Sequence, residues 1–240
     1  MNLEFQNSVA PPESPDYSVP WKPIDNWIGV VLLVLLDVAL LFYSALAGGT
    51  QLAQSAGLIL VQLAYLLPLV LIFAYRRVNP KSLGLGGFDW GTLALGIGLL
   101  FVSYILILIH NSLLLLLGVE VQGEKILTIF ESLESPVWFM IVGVILAPIV
   151  EELFFRGFLF QGFRQRHGWV KGMLISAAIF AVGHLDPASL IPTFILGALL
   201  AYMYQRSNSV WPGVILHVMV NALGLCAAYI ATQYPGTIPL

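Results

Sequence analysis

The sequence predicts an all-α polytopic membrane bundle of about seven spans, within a range of six to eight. Composition predicts it first. Of the 240 residues 59% are hydrophobic and only 10% charged, whereas a soluble domain is nearer a quarter charged. Mean hydropathy is +0.90. The second observation is that the apolar residues come in runs of about 20, the length a helix needs to cross the hydrocarbon core. A net charge of −3 argues against nucleic acid as a partner; the first partners implied are membrane lipids. The single cysteine, Cys226, permits no internal disulfide.

Taken in order, residues 1–26 are polar, carry Pro11, Pro12, Pro15, Pro20 and Pro23, show no signal-peptide pattern, and read as a flexible cytoplasmic tail. Residues 27–135 hold the N-terminal spans Trp27–Ala47, Ala56–Tyr75 and Thr92–Leu117, followed by an amphipathic segment at Glu124–Leu133 that suits a helix lying at the membrane surface. Residues 136–233 form a C-terminal core with spans Val137–Phe163, Gly172–His184, Ser189–Gln205 and Val210–Gln233. Residues 234–240 are a short tail. The fifth span is short and is broken from the sixth by Asp186-Pro187, so the two can form a bent or partly re-entrant hairpin bordering protein or a wet cavity.

Positive charge orients the chain. Arg76, Arg77 and Lys81 follow the second span, Arg164, Arg166 and Lys171 the fourth, and Arg206 the sixth. These loops alternate correctly if they are cytoplasmic. The loop after the third span carries Glu120, Glu124, Glu131 and Glu134 against Lys125 alone and fits the opposite side. The expectation is an integral membrane protein of a bacterial-type cytoplasmic membrane with its N-terminus in the cytoplasm.

The polar residues inside the spans carry the chemistry. An unpaired carboxylate in the bilayer costs at least about 2.5–3.5 kcal/mol, so intramembrane carboxylates face a protein interior or a wet cavity and mark functional sites. Glu151 and Glu152 sit in one of the most apolar stretches of the chain. Residues four apart share a helix face, and three such pairs fall on three different spans: Glu152 with Arg156, Phe180 with His184, and His217 with Asn221. Each has a bland reading. Glu152–Arg156 suits a buried structural ion pair, Phe180 suits packing, and a lone intramembrane His or Asn is often an interhelical hydrogen-bond donor. Together they are most economically satisfied by one another. Glu152–Arg156 pairing leaves Glu151 without a local partner and makes it the better candidate for chemistry. Pro148, three residues earlier, removes a donor and clashes with the Val144 carbonyl, which kinks the span. Asp37, His110 and Asn111 are other intramembrane polar groups with structural or access roles, and His167 lies in the basic loop.

A carboxylate and a neutral imidazole converging on one water can activate it as a nucleophile. Paired donors such as His217 and Asn221 can stabilise an oxyanion, worth roughly 3–4 kcal/mol each in a dry site. This describes amide hydrolysis without a covalent intermediate; no serine or cysteine lies in a nucleophile motif. A zinc alternative stays open, because Glu151, His184 and His217 are acceptable ligands, although no His-Glu-x-x-His pattern is present.

The runs Glu151-Glu152-Leu-Phe-Phe-Arg156, Phe180-Ala-Val-Gly-His184 and His217-Val-Met-Val-Asn221 resemble the three ordered motifs of the CAAX protease and bacteriocin-processing (CPBP, or Abi) family, related to type II CAAX prenyl endopeptidases. The approach Ser207–His217 is similar too, and the resemblance spans about residues 137–225. It implies a membrane-embedded, glutamate-type endopeptidase without metal or other cofactor. By the same resemblance Glu151 and His184 activate water, His217 and Asn221 stabilise the oxyanion, and Glu152, Arg156 and Phe180 support the site. The implied substrate is a membrane-associated or lipidated polypeptide, with prenylated CAAX-type chains included. Two other classes compete. One is a proton-coupled transporter, against which the absence of visible inverted repeats speaks; the other is a non-catalytic scaffold of the same fold.

One expectation conflicts with the rest. At about 1.5 Å per residue, His184 lies roughly 18–20 Å from the cytoplasmic end of its span and His217 only about 10 Å from the end of its own. Both cannot serve one water if those ends are level.

Overall fold

The computed structural model describes residues 17–46, 51–133 and 136–234. Among them the chain is helical with no strand. The helices are α1 (Pro23–Leu46), α2 (Gln51–Arg76), α3 (Trp90–Leu116), α4 (Gln122–Ser132), α5 (a continuous run over Val137–His167), α6 (Trp169–Gly183), α7 (Leu190–Ser207) and α8 (Trp211–Gln233). Six of them (α1, α2, α3, α5, α7 and α8) have segments long and apolar enough to cross a membrane, and α6 is a shorter apolar helix. The polytopic bundle of about seven spans therefore stands, as an integral membrane protein. Side chains such as Val34, Leu35, Phe42, Phe101 and Leu108 are exposed because lipid, not protein, covers them. The amphipathic segment expected at 124–133 is α4, its first turn closed by the Val121 N–H donating to Glu124 Oε2 at 3.2 Å. Ala47, Glu134 and residues 1–16 and 235–240 lie outside the described residues.

Within the expected tail, residues 17–26 are packed rather than loose. Trp21 is buried 5.4 Å from both Phe73 and Phe158, and Asn26 Nδ2 donates to the Leu159 carbonyl at 2.8 Å. Asp25 holds Arg76 through two hydrogen bonds of 2.8 and 2.9 Å, tying the start of α1 to the end of α2.

The spine is α5, and it is irregular. Wide π turns run through Val142–Leu146 and Leu153–Phe160, with an ordinary α turn, Ala147–Glu152, between them. Pro148 explains the first. Its missing N–H and its ring would collide with a regular preceding turn, and a widened turn relieves the clash. Side chains, three of them from other helices and one from α5 itself, bond to carbonyls in these turns. Asn221 donates to Gly143, Ser176 to Phe155, Gln161 to Gly157 and Asn26 to Leu159. In lipid a freed backbone carbonyl without such a donor costs several kcal/mol, so these four polar residues keep the irregular helix compatible with the bilayer.

The depths of the helix ends resolve the conflict left by the sequence. α6 starts beside the end of α5, where Gly172 touches the Arg164 backbone so closely that a Cβ would sit 2.7 Å from its nitrogen. Glu152 and His184 each lie twelve residues further, about 18 Å, so they are level. α8 starts deeper. The segment 79–89 folds in under the bundle, with a short 3₁₀ turn at Pro80–Leu83. There the Leu83 carbonyl abuts Gly157 and Tyr204 Oη donates to it at 3.3 Å. The Val210 N–H then donates to the Gly84 carbonyl at 2.9 Å. This places the start of α8 near the level of Gly157, nearly three turns below the end of α5, and His217 reaches the carboxylates. Gly84 turns here with φ +82° against the Tyr204 ring, a conformation and a fit open to glycine alone. The α6–α7 hairpin turns over at Asp186, two residues past His184 and so near the level of Glu152, as the Asp186-Pro187 break predicts.

Candidate active site

The three motif pairs converge. Glu152 is wholly buried, and its Oε1 accepts from Arg156 Nη1 at 2.6 Å and from His217 Nδ1 at 3.0 Å. Arg156, equally buried, also donates from Nη2 to the Gly197 carbonyl of α7 at 3.2 Å. Its guanidinium lies 4.4 Å from the centre of the Phe180 ring. Phe180 is more than filler, because its ring meets Phe155 at 4.9 Å, His184 at 4.7 Å and His217 at 5.8 Å. One aromatic ring therefore spaces both histidines and carries the buried cation. Gly213 allows α8 this close, since a Cβ there would lie 2.8 Å from Glu152 Oε2.

Glu151 stands apart as the sequence predicts. Its side chain is 12% exposed and its Oε2 lies 3.9 Å from His217 Nε2, with no hydrogen-bond partner for that oxygen among the described residues. The tautomers follow from the partners. His184 Nδ1 is 2.8 Å from the Phe180 carbonyl; a carbonyl only accepts, so Nδ1 carries the proton and the neutral ring leaves the Nε2 lone pair free. His217 Nδ1 donates to Glu152, leaving Nε2 directed to Glu151. Asn221 donates to the Gly143 carbonyl at 2.8 Å, so one of its two amide protons is committed to the π turn and one is left. The cluster offers a carboxylate oxygen without a partner, an imidazole tied to the chain through Nδ1 and an amide with one proton to spare, near a buried ion pair.

Access is one-sided. From Glu152 to Arg164 every residue but Leu153 is buried, whereas Glu151, His184 and Asn221 are half-buried. α4 comes close to the His184 end of α6, where its Lys125 pairs with Asp186, two residues past His184, at 2.5 Å. Among the described residues no three His, Cys, Asp or Glu side chains are placed to hold a metal ion. Asp37, His110 and His167 are not part of the cluster: His110 bonds its neighbour Asn111 at 3.2 Å, and His167 ends α5 in an exposed position. Motif reading missed Gly213 and the Lys125–Asp186 pair, because one acts by lacking a side chain and the other joins residues 61 positions apart.

A family model described as type II CAAX prenyl endopeptidase Rce1-like matches residues 133–223. Residues 133–223 are thus similar to the CAAX-protease family. The matched stretch contains all three motifs and every residue of the cluster. Along most of its length the chain is similar to the "Putative membrane peptidase YdiL" of Bacillus subtilis (strain 168), at 24% identity over 210 residues, 84% of this chain and 85% of that one. It is also 32% identical over 85 residues to the UPF0177 protein YxdF of Lactococcus lactis, 35% of this chain and 46% of that protein, so that match spans under half the relative's length. No solved structure matches. Family and relative together support an intramembrane protease.

Proposed function

We propose that this protein is a membrane-embedded, glutamate-type endopeptidase that hydrolyses a peptide bond in a membrane-anchored or lipidated polypeptide. The observation that carries the reading is that Glu151 Oε2 has no hydrogen-bond partner among the described residues and lies 3.9 Å from His217 Nε2, while the neighbouring Glu152 holds Arg156 and His217 through its Oε1.

A water held between Glu151 and His184 Nε2 loses a proton to the carboxylate as its oxygen bonds to the scissile carbonyl carbon. The carbonyl oxygen takes up negative charge. The second amide proton of Asn221 and, in its doubly protonated form, Nε2 of His217 donate to that oxyanion. Glu152 is placed to stabilise such an imidazolium through Nδ1. The proton then passes from Glu151 to the leaving nitrogen, the C–N bond breaks, and an acid and an amine leave. Arg156 and Phe180 hold Glu152 and the two rings in place and touch no reacting atom. The basic loops support a cytoplasmic N-terminus, and the membrane proposed is of the bacterial cytoplasmic type. A prenylated CAAX-type substrate presupposes a prenylating host, so the substrate class proposed is the broader membrane-associated peptide.

The test compares new peptide termini in membranes containing the wild-type chain and Glu151→Gln at matched expression. Termini found only with the wild type support proteolysis and name the substrate. Identical termini in both, with small membrane peptides covered, favour a scaffold instead.

A further inference from the structure

The N-terminal helices lie outside the matched family region, yet α2 sends one polar side chain to the site. The Tyr65 ring is 5% exposed and is clamped edge-on by Phe154 and Phe155, with centroids 5.8 and 5.6 Å away. Those two residues are three and four positions after Glu151, on the same side of α5. The hydroxyl end reaches the other wall: a Cβ at Gly183, the residue before His184, would lie 3.8 Å from Tyr65 Oη. The phenol thus spans from the Glu151 face of α5 to the His184 end of α6. Glu151 and Asp37 are the two carboxylates within electrostatic range of it. Buried tyrosine hydroxyls nearly always donate a hydrogen bond. Glu151 Oε2 is a buried acceptor without a hydrogen-bond partner among the described residues. Packing alone calls for phenylalanine, as at positions 154, 155, 158 and 180 around it.

We infer that Tyr65 is a positioning residue of this site, its hydroxyl donating a hydrogen bond into the gap between Glu151 and His184 and so fixing the carboxylate and the water it activates. The inference rests on the hydrolytic reading above and extends the site to a helix that carries none of the three motifs.

The experiment is the rate of appearance of the wild-type-specific peptide terminus, using purified full-length protein in liposomes and the membrane peptide identified by the terminus comparison. Tyr65→Phe keeps the ring clamped by Phe154 and Phe155 and removes only the hydroxyl. The expected result is a tenfold to hundredfold lower kcat, roughly the loss of one hydrogen bond to a charged group, with KM and Tm unchanged. Tyr75→Phe, at an exposed position on the same helix, should match the wild type. Wild-type kcat in Tyr65→Phe, or a loss that tracks a lower Tm or a raised KM, overturns the assignment. Glu151→Gln runs alongside. Cleavage persisting in Glu151→Gln overturns the hydrolytic reading and this inference together, whereas an inert Glu151→Gln beside a fully active Tyr65→Phe overturns this inference alone.

Discussion

Arg156→Met is the sharpest test of how the site is held. The substitution keeps an apolar stem of similar length and removes the guanidinium. Glu152, fully buried, then keeps only the Nδ1 hydrogen bond of His217. Breaking a buried pair by removing one partner costs about 3–5 kcal/mol, because it strands a charge. The contact with the Phe180 ring, 4.4 Å away, is worth up to about 2 kcal/mol when desolvated. The two figures overlap, since both describe one guanidinium, so the expected loss is about 3–5 kcal/mol in all. At about 2–4 °C per kcal/mol for a chain of this size, Tm falls by roughly 6–20 °C. The assay is thermal unfolding in detergent followed by tryptophan fluorescence, with Glu152→Gln/Arg156→Met beside the single variant. Removing the stranded charge should return at least about 1 kcal/mol, a coupling typical of residues in contact. Arg156→Met within about 0.5 kcal/mol of the wild type, or a double variant no more stable than the single, refutes the claim that a desolvated ion pair braces this site.

Other outcomes follow from the same geometry. Gly213→Ala places a Cβ 2.8 Å from Glu152 Oε2 and should abolish cleavage while lowering Tm, measured on the same sample. Gly84→Ala forces a left-handed turn on alanine against Tyr204 and should destabilise by about 1–3 kcal/mol, read by reversible unfolding. Asn221→Ala removes the donor to Gly143 as well as the oxyanion donor, so it should lose both activity and about 1–3 kcal/mol of stability; loss of activity alone would mean the π turn does not need it. At the surface, the Gly91 and Thr92 N–H groups that Asp89 caps hold its carboxyl below the ordinary carboxylate range. A depressed folded pKa gives stability that is present above the unfolded value near 3.9 and is lost as pH falls through the folded one. Asp89→Asn should therefore flatten the acid side of the stability profile below about pH 4, measured by Tm against pH.

Much of this was readable from the chain. Six of the seven expected spans are long apolar helices and the seventh is a short one, because runs of about 20 apolar residues have few alternatives in lipid. The motif residues were legible because charged and amide side chains are scarce in the spans, and each scarce group needs another. Three things were not. The depth of α8 is set by the fold-in of 79–89 beneath Gly157 and Val210, a contact between distant segments that periodicity cannot register. The π turns flanking Glu151 follow from Pro148 only in part; they also depend on Asn26, Ser176 and Asn221, whose donors arrive from three other helices. Tyr65 left a faint signal, one of three hydroxyls in a Leu-rich helix. What makes it notable is its aim between Phe154 and Gly183, and that exists only in three dimensions. Residues 17–26 differ from the expected loose tail for a simpler reason: proline content suggests looseness, but Trp21 and Asn26 are bound in place by aromatic packing and a carbonyl of α5.

The account turns on Glu151 and His184 sharing one water. The most direct measurement is single-turnover cleavage of the identified membrane peptide by the purified wild type, Glu151→Gln and His184→Gln in liposomes, each with and without a metal chelator. The account predicts that either substitution slows bond cleavage by about 10²–10⁴-fold while substrate binding persists, and that the chelator leaves the wild type unchanged. Cleavage at the wild-type rate in Glu151→Gln, or wild-type activity lost to the chelator and restored by zinc, would contradict it.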